Sequence, residues 1–168
     1  MTVLTTSVPL LETAFWFLRH GQTTANRDHI IAGTLDVPLT PEGLRQAERA
    51  GEFLAGRGIA AVWCSPLSRA RETARIVADR IGLAVTIVEG LGERNWGVWE
   101  GRSHDVLNRA LKPEGGESPQ EFQARVTTAL ARIAPPWPAL VVGHAGTYRV
   151  LRAALGLGEE ERSIENAR

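Results

Sequence analysis

The sequence has few residues of the kinds that mark secreted, membrane or metal-binding proteins. Cys64 is its single cysteine, so it offers no disulfide framework and no cysteine-rich metal site. The segment 1–13 lacks the basic start and the long apolar core of a signal peptide. No apolar run approaches the length of a membrane span. We therefore expect a cytoplasmic protein without a membrane partner.

An excess of either charge is absent as well. Nineteen Lys and Arg residues balance nineteen Asp and Glu residues, so no overall field draws the chain to nucleic acid. Lys112 is the single lysine, and genomic base composition explains the excess of arginine without a functional need. With 43% hydrophobic and 23% charged residues, the 168-residue chain has the composition and length of one soluble domain with a substantial core.

Short apolar runs alternate with amphipathic stretches along the chain. The runs predict strands, and the amphipathic stretches predict helices. Strands are expected at residues 14–18, 59–64, 83–88 and 139–142, and helices at about 41–54, 67–80, 119–133 and 147–155. Elements that alternate in this way form a mainly parallel sheet covered by helices on both faces. The sequence therefore predicts an α/β fold, a three-layer α/β/α sandwich with a mainly parallel central sheet, in a single domain over residues 1–168.

Helix starts carry the clearest local signals. Ser118-Pro119-Gln120-Glu121 combines an N-cap serine, a proline at the first helical position and a glutamate that completes a capping box. Thr40-Pro41 and Ser65-Pro66 repeat the start of this pattern. Outside the regular elements we expect a loose extension at 1–13, an irregular loop at 22–37, a short helix at 103–111 and a frayed tail at 156–168.

Two predicted strands end in a histidine beside glycine. Leu18-Arg19-His20-Gly21 follows the first strand, and Gly143-His144-Ala145-Gly146 follows the last. If these strands are parallel neighbours, their carboxyl ends bring His20 and His144 together at one edge of the sheet, where α/β proteins bind ligands. Arg69 stands in the first turn of a predicted helix, where free N–H groups favour anions. The pattern predicts a pocket for a phosphoryl group.

Four stretches carry a family resemblance. They are Arg19-His20-Gly21 with Asn26 and Pro38-Leu39-Thr40; Ser65-Pro66-Leu67-Ser68-Arg69-Ala70 with Thr73-Ala74; Leu91-Gly92-Glu93 with Trp99-Glu100-Gly101; and Gly143-His144-Ala145-Gly146. Together they resemble the signatures of the histidine phosphatase superfamily, in its phosphoglycerate-mutase-like branch. The stretches run in family order from about residue 14 to residue 155, and four in register are far more specific than one.

The resemblance implies a role for each site residue. His20 would attack phosphorus and form a phosphohistidine, which water then hydrolyses to release inorganic phosphate. Arg19, Arg69 and His144 would hold the phosphoryl oxygens. Glu93 would protonate the leaving oxygen and then deprotonate the attacking water. Further substrate contacts would come from Gly21, Gln22 and Asn26. The family uses no metal and no other cofactor for this reaction.

Single residues also have simpler explanations. His20 or His144, taken alone, would more often be a structural histidine, and Arg69 could pair on a helix surface. Glu89 and Glu100 compete with Glu93 for the role of the acid. Among the remaining candidates, Trp96 and Trp99 are expected to pack within their loop, with Trp96 also able to line the mouth of the pocket. His29 and His104 are expected on the surface, with His29 able to border the site.

The segment between the acid-bearing loop and the next helix favours hydrolysis. Residues 101–117 are short beside the insertions that enclose the substrate in the phosphoglycerate mutases of the resembled family, so water would reach the pocket. We expect a phosphomonoester hydrolase that acts on a small phosphorylated metabolite. Phosphoglycerate-mutase-type transfer and a non-catalytic phosphate-binding or regulatory protein are the alternatives. Members of the resembled family continue past the last helix into a further strand that begins near an asparagine such as Asn166. This sequence ends at Arg168, so the edge of the sheet and a homodimer contact stay open.

Overall fold

A computed structural model describes residues 8–157 and 164–167. Within these residues, β1 (Phe15–Arg19), β2 (Ala61–Cys64), β3 (Val85–Ile87) and β4 (Ala139–Gly143) form one sheet in the order β1-β4-β2-β3. Each neighbouring pair is parallel. The predicted α/β class with a parallel central sheet is therefore confirmed, although β2 and β3 are two to three residues shorter than expected.

Helices cover both faces of this sheet. They are α1 (Thr24–Arg27), α2 (Pro41–Leu54), α3 (Ser68–Ile81), α4 (Pro119–Leu130) and α5 (Ala145–Ala154), with single 3-10 turns at Pro9–Glu12, Gly97–Trp99 and His104–Val106. Because side chains alternate along a strand, β4 serves both layers. Leu140 and Val142 pack with the α2 and α3 side, whereas Ala139 and Val141 pack with the α4 and α5 side.

Two of the predicted helix caps form as expected. Thr40 Oγ1 accepts a hydrogen bond from Gly43 N at 3.0 Å at the start of α2. At the start of α4, Ser118 Oγ accepts from Glu121 N and Glu121 Oε2 accepts from Ser118 N, which completes the capping box. The third cap differs, because α3 begins at Ser68 with no side-chain cap and Ser65 lies before it.

Backbone contact between the end of β1 and α2 requires two glycines. A Cβ atom on Gly21 would lie 2.3 Å from the carbonyl oxygen of Gly43, and one on Gly43 would lie 2.1 Å from the carbonyl oxygen of Gln22. Gly21 N also donates to Thr73 Oγ1 at 3.0 Å, which ties the same turn to α3. Gly21 therefore permits a close approach of two backbones.

The expected loose extension at 1–13 is wrong for its described part. Residues 9–12 form a 3-10 turn, and the Leu10 side chain is fully buried in the core that also contains Leu130 and Val141. Val8 is buried in the same core. The apolar side chains of this segment cover the α4 and α5 layer, and their burial stabilises the turn. Residues 1–7 lie outside the described residues.

The expected frayed tail at 156–168 is wrong for residues 164–167. Arg19 Nη1 donates to Ile164 O at 2.8 Å, Asn166 Nδ2 donates to His20 O at 2.9 Å, and Ala167 N donates to Arg19 O at 2.8 Å. The carbonyl groups at the end of β1 need donors, and this segment supplies them. Residues 158–163 and 168 lie outside the described residues.

Two loop predictions also need correction. The loop at 22–37 contains the short helix α1, which Thr23 and Asn26 cap reciprocally. The short helix expected at 103–111 is reduced to the 3-10 turn His104–Val106, after which the chain is irregular. In the described ranges, no helix has both the length and the apolar character needed to cross a membrane.

The glycine contact predicts that Gly21→Ala destabilises the fold. Its methyl group would meet the Gly43 carbonyl oxygen at 2.3 Å, and overpacking of this kind costs about 1–3 kcal/mol. Urea unfolding measures the loss. Gly92→Ala is the matched control, because the nearest atoms to its added Cβ lie 3.9 Å away. Equal unfolding free energies for Gly21→Ala and the wild type would contradict the contact.

Candidate active site

A cavity of about 230 Å³ lies at the carboxyl end of the sheet. It is smaller than the roughly 300–1,000 Å³ that is typical of sites for drug-sized ligands. Its lining combines cationic, acidic and apolar side chains: Arg19, His20, Thr23, Asn26, Ile30, Ile31, Ala32, Gly33, Arg69, Glu93, Trp96, His104, Leu107, Arg109, Ala145 and Arg149. The lining is therefore cationic overall, with four arginines and one glutamate.

His20 follows β1 and is held in one tautomer. Its Nδ1 lies 2.7 Å from the carbonyl oxygen of Gly21, and a carbonyl can only accept, so Nδ1 carries the proton. Burial lowers the pKa of His20 well below its ordinary value, and the charges of Arg69 and Arg19 lower it further. The ring is therefore neutral, and the Nε2 lone pair is free for chemistry at the cavity.

His144 lies beside His20 because β1 and β4 are paired in register. Arg19 is opposite Gly143, so the residues that follow them meet, and the two imidazole centroids are 5.2 Å apart. His144 is fully buried, and its Nε2 lies 2.7 Å from Ser65 Oγ. Its Nδ1 has no hydrogen-bond partner within the described residues. Burial and the charge of Arg69 lower the pKa of His144 well below its ordinary value.

Arg19 and Arg69 line the cavity with guanidinium groups that backbone carbonyls hold in place. Arg69 Nη1 donates to Leu35 O at 2.9 Å, and its Nη2 donates to Gly33 O at 2.7 Å. Arg19 Nη1 donates to Ile164 O, while its buried Nε has no partner within the described residues. Burial lowers the pKa of both arginines and nearby Glu93 raises it, so each remains a cation.

The carboxylate of Glu93 lies against the first turn of α5. Its Oε2 accepts from Gly146 N at 2.9 Å, and its Oε1 accepts from Arg94 N at 2.8 Å. A Cβ atom on Gly146 would lie 2.0 Å from Glu93 Oε1, so a larger residue there would displace the carboxylate. Arg125 holds the same loop, because its guanidinium donates to the carbonyls of Gly90, Gly92 and Glu93.

Neither of the two rival acids lines the cavity. Glu100 is engaged by the backbone N–H groups of Thr34 and Trp96, and it does not line the cavity. Glu89 is exposed at the far end of the loop and does not line the cavity either. Glu93 is the one carboxylate among the described lining residues.

Three residues predicted to bind substrate are not among the residues that line the cavity: His144, which lies behind His20, Gln22 and Gly21. Gln22 Oε1 accepts from Thr40 Oγ1 at 2.9 Å, so its side chain supports the start of α2. Gly21 is enclosed between the backbone of α2 and Thr73, which explains its lack of a side chain. Asn26 does line the cavity, and its Oδ1 also accepts hydrogen bonds from Thr23 N and Asn166 Nδ2.

Comparison with known proteins gives this arrangement a family. The sequence model of the histidine phosphatase superfamily (branch 1) matches residues 15–167. This chain belongs to the histidine phosphatase superfamily. The match includes both strands that end in histidine and the loop that carries Glu93, and it confirms the resemblance seen in the sequence.

Relatives within the superfamily differ in their named reactions. The chain is 35% identical over 157 residues to the adenosylcobalamin/alpha-ribazole phosphatase of Escherichia coli (strain K12), covering 83% of this chain and 77% of that one. It is 37% identical over 130 residues to a Salmonella newport protein named "Probable phosphoglycerate mutase GpmB", covering 69% of this chain and 60% of that one. The relatives therefore include one named as a phosphatase and one named as a probable mutase.

A solved superfamily structure has the same fold. The mycobacterial glucosyl-3-phosphoglycerate phosphatase, in complex with VO3, is 30% identical with a TM-score of 0.78. The superposition covers 91% of this chain and 87% of that protein. The four-stranded parallel sheet with helices on both faces is thus the histidine phosphatase fold.

Sequence reasoning missed several residues of this superfamily site. Arg149 lies one helical turn after Ala145 on α5, and that spacing could have placed it beside the cavity. The Ser65-Pro66 pair predicts a helix cap, but the Ser65 hydroxyl contacts His144. No local sequence pattern predicts that Arg109 lines the cavity, because the irregular segment around it has no periodicity. His104 is exposed as expected, yet it lines the cavity, whereas exposed His29 does not.

The two buried neutral histidines predict that stability falls in acid. The pKa values of His20 and His144 are lowered in the fold, so below pH 6.5 the unfolded chain binds protons that the folded chain does not. Each histidine should cost about 1.4 kcal/mol of unfolding free energy between roughly pH 7.5 and 5.5. Urea unfolding in phosphate-free buffer measures this loss.

His144→Gln isolates one of the two contributions. The variant should lose about 1.4 kcal/mol of the pH dependence, whatever its stability at neutral pH. His29→Asn is the control, because His29 is exposed and asparagine tolerates its positive φ. Equal pH dependence in His144→Gln and the wild type would contradict the neutral state of His144.

Proposed function

We propose that this chain is a phosphomonoester hydrolase that forms a phosphohistidine on His20. The observation that carries the proposal is the fixed tautomer of His20, whose Nδ1 donates to Gly21 O at 2.7 Å and leaves Nε2 as a nucleophile at the cavity. Two superfamily relatives are phosphatases by name, one acting on adenosylcobalamin or alpha-ribazole phosphates and one on glucosyl-3-phosphoglycerate. The proposed substrate class is a small phosphorylated metabolite, which suits the cavity of about 230 Å³.

The first step transfers the phosphoryl group to the histidine. The Nε2 lone pair of His20 forms a bond to phosphorus while the bond from phosphorus to the ester oxygen breaks. Glu93 gives a proton to the leaving oxygen, which departs as an alcohol. Arg19 and Arg69 stabilise the charge on the phosphoryl oxygens, and the buried Nδ1 of His144 supplies a further contact.

The second step returns the enzyme to its starting state. Glu93, now a carboxylate, takes a proton from water as the water oxygen attacks phosphorus. The bond between phosphorus and Nε2 breaks, and the electron pair returns to His20. Inorganic phosphate leaves the cavity. The two arginines supply the positive charge that a metal ion supplies in many other phosphoryl-transfer sites, so the reaction needs no metal or other cofactor.

Mutase-type transfer is the second candidate. It is supported by the 37% identity to the protein named as a probable phosphoglycerate mutase. We favour hydrolysis because residues 101–117 form a short, irregular and mostly exposed segment beside the cavity. Such a segment leaves water a route to the phosphohistidine. A mutase needs that intermediate to survive long enough to react with a second substrate.

Hydrolysis of p-nitrophenyl phosphate tests the proposed function. We expect turnover between about pH 5 and 8 that excess EDTA does not reduce, because the arginines carry the charge. His20→Ala should lower kcat at least 1,000-fold, a loss of the size seen when an active-site nucleophile is removed. His29→Asn should retain activity.

The controls separate the outcomes of this assay. Circular dichroism shows whether His20→Ala remains folded. Persistent turnover in a folded His20→Ala variant would rule out His20 as the nucleophile, and loss of activity in EDTA would rule out the metal-free reaction. Conversion of 3-phosphoglycerate to 2-phosphoglycerate without phosphate release would favour the mutase.

A further inference from the structure

The loop that carries Glu93 contains no helix or strand of its own. Residues 91–96 precede the 3-10 turn Gly97–Trp99. In the described ranges, no backbone N–H group donates to the carbonyl oxygens of Gly90, Gly92 or Glu93. Carbonyl groups in a partly buried loop need donors, so side chains must supply them.

Arg125 on α4 supplies these donors and uses every N–H group of its guanidinium. Nη1 donates to Gly90 O at 2.7 Å and to Gly92 O at 3.1 Å, and Nη2 donates to Glu93 O at 3.2 Å. Nε and Nη2 also donate to the two carboxylate oxygens of Glu117, each at 2.7 Å. A guanidinium has about five N–H donors in all, so Arg125 is fully engaged by the loop and by Glu117.

Glu117 holds the other side of the same loop. Its Oε2 accepts from Asn95 N at 2.9 Å, and its own N–H donates to Asn95 O at 2.9 Å. Its carbonyl oxygen accepts from Arg94 Nε at 3.0 Å and from Arg94 Nη2 at 2.8 Å. Arg125 therefore holds the loop up to Glu93, and Glu117 holds the two residues that follow it.

The pair of Arg125 and Glu117 is ionised and partly buried. The two side chains are 30% and 20% exposed. Burial raises the pKa of Glu117, but the hydrogen bonds from Arg125 and from Asn95 N lower it by more, so this pKa lies below its ordinary value. Two parallel hydrogen bonds between a guanidinium and a carboxylate fix the orientation of both groups. The pair therefore joins α4 firmly to the loop.

Glu93 needs an accurate position for both of its proposed tasks. Its carboxylate lines the cavity and accepts from Arg94 N at 2.8 Å and from Gly146 N at 2.9 Å. Arg94 N belongs to the loop, so the loop backbone determines where the carboxylate lies. An acid or base must be within hydrogen-bond reach of the atom that it serves, and a misplacement of about 1 Å can cost about 100-fold in rate.

We infer that Arg125 and Glu117 are positioning residues for Glu93. Neither lines the cavity, so they act through the backbone of the loop. The inference rests on the proposed function, in which Glu93 is the acid of the first step and the base of the second. Loss of the pair slows both proton transfers and leaves the attack of His20 on phosphorus intact.

Two esters with different leaving groups separate proton donation from attack. p-Nitrophenolate leaves without a proton, whereas the alkoxide of propyl phosphate needs the proton of Glu93. Arg125→Lys keeps the positive charge but loses the fork of N–H donors. We expect it to lower kcat/KM for propyl phosphate about tenfold or more, and kcat/KM for p-nitrophenyl phosphate less than about threefold. The ratio of the two values does not depend on the amount of folded enzyme.

The kinetics of p-nitrophenyl phosphate hydrolysis also separate the two steps. For this ester kcat/KM reports the first step, which needs no acid, whereas kcat includes the attack of water, which needs Glu93 as the base. Arg125→Lys should therefore lower kcat and KM together, and a burst of p-nitrophenol should precede the steady state. An unfolded fraction would lower kcat and leave KM unchanged.

Glu117→Gln is the second test variant. It keeps the size of the side chain and removes its charge, so it should change the ratio between the two esters in the same direction. Arg132→Lys and Glu114→Gln are the matched controls, because both residues are exposed and neither lines the cavity. The controls should keep the wild-type ratio. An unchanged ratio in both Arg125→Lys and Glu117→Gln would overturn the inference.

Combination with Glu93→Gln shows whether the pair acts through the acid. Because the acid is already lost in Glu93→Gln, adding Arg125→Lys should leave the ratio between the two esters unchanged. A further fall in that ratio would give Arg125 another role and overturn the inference. Absence of p-nitrophenyl phosphate hydrolysis in the wild type would count against the proposed function and the inference with it. Wild-type hydrolysis with equal losses for both esters in Arg125→Lys would leave the proposed function standing and overturn the inference alone.

Discussion

The parallel pairing of β1 with β4 is the constraint on which the site depends. With Arg19 opposite Gly143, the residues that follow each strand meet, and the rings of His20 and His144 come within 5.2 Å. The pairing of β2 with β4 brings Ser65 to His144 in the same way. A slip of one residue in either pairing would turn the following side chains to the opposite face of the sheet. The register of three strands therefore determines where chemistry can take place.

Backbone carbonyls and one helix start then hold the charged groups around that point. The carbonyls of Gly33, Leu35 and Ile164 fix the two arginines nearest His20. The first turn of α5 fixes the carboxylate of Glu93 through Gly146 N. Because these charges are held by the fold before substrate binds, little reorganisation is needed during the reaction. Burial keeps the rings of both histidines neutral beside these charges. His20 needs a neutral ring to act as a nucleophile.

Most of the fold and the centre of the site could be predicted from the sequence, since both depend on local patterns. Apolar runs and caps such as Thr40 and Ser118 located most strands and helices. Motifs at strand ends located His20, Arg69 and His144, and the family resemblance selected Glu93 in its loop. Contacts between distant segments could not be predicted. Leu10 and Ala167 pack against the core through partners far away in the chain. Arg109 reaches the cavity because a buried guanidinium holds an irregular segment.

If His20 carries the phosphoryl group, the phosphoenzyme can be trapped and the label found on that residue. Glu93→Gln removes the base that activates water, while p-nitrophenol leaves without needing an acid, so phosphoenzyme should accumulate after one turnover. The measurement is base quenching of this variant with ³²P-labelled p-nitrophenyl phosphate, followed by peptide mapping. We expect a burst of p-nitrophenol and a label on His20 that is stable in base and lost in acid. Label on another residue, or acid-stable label, would contradict it.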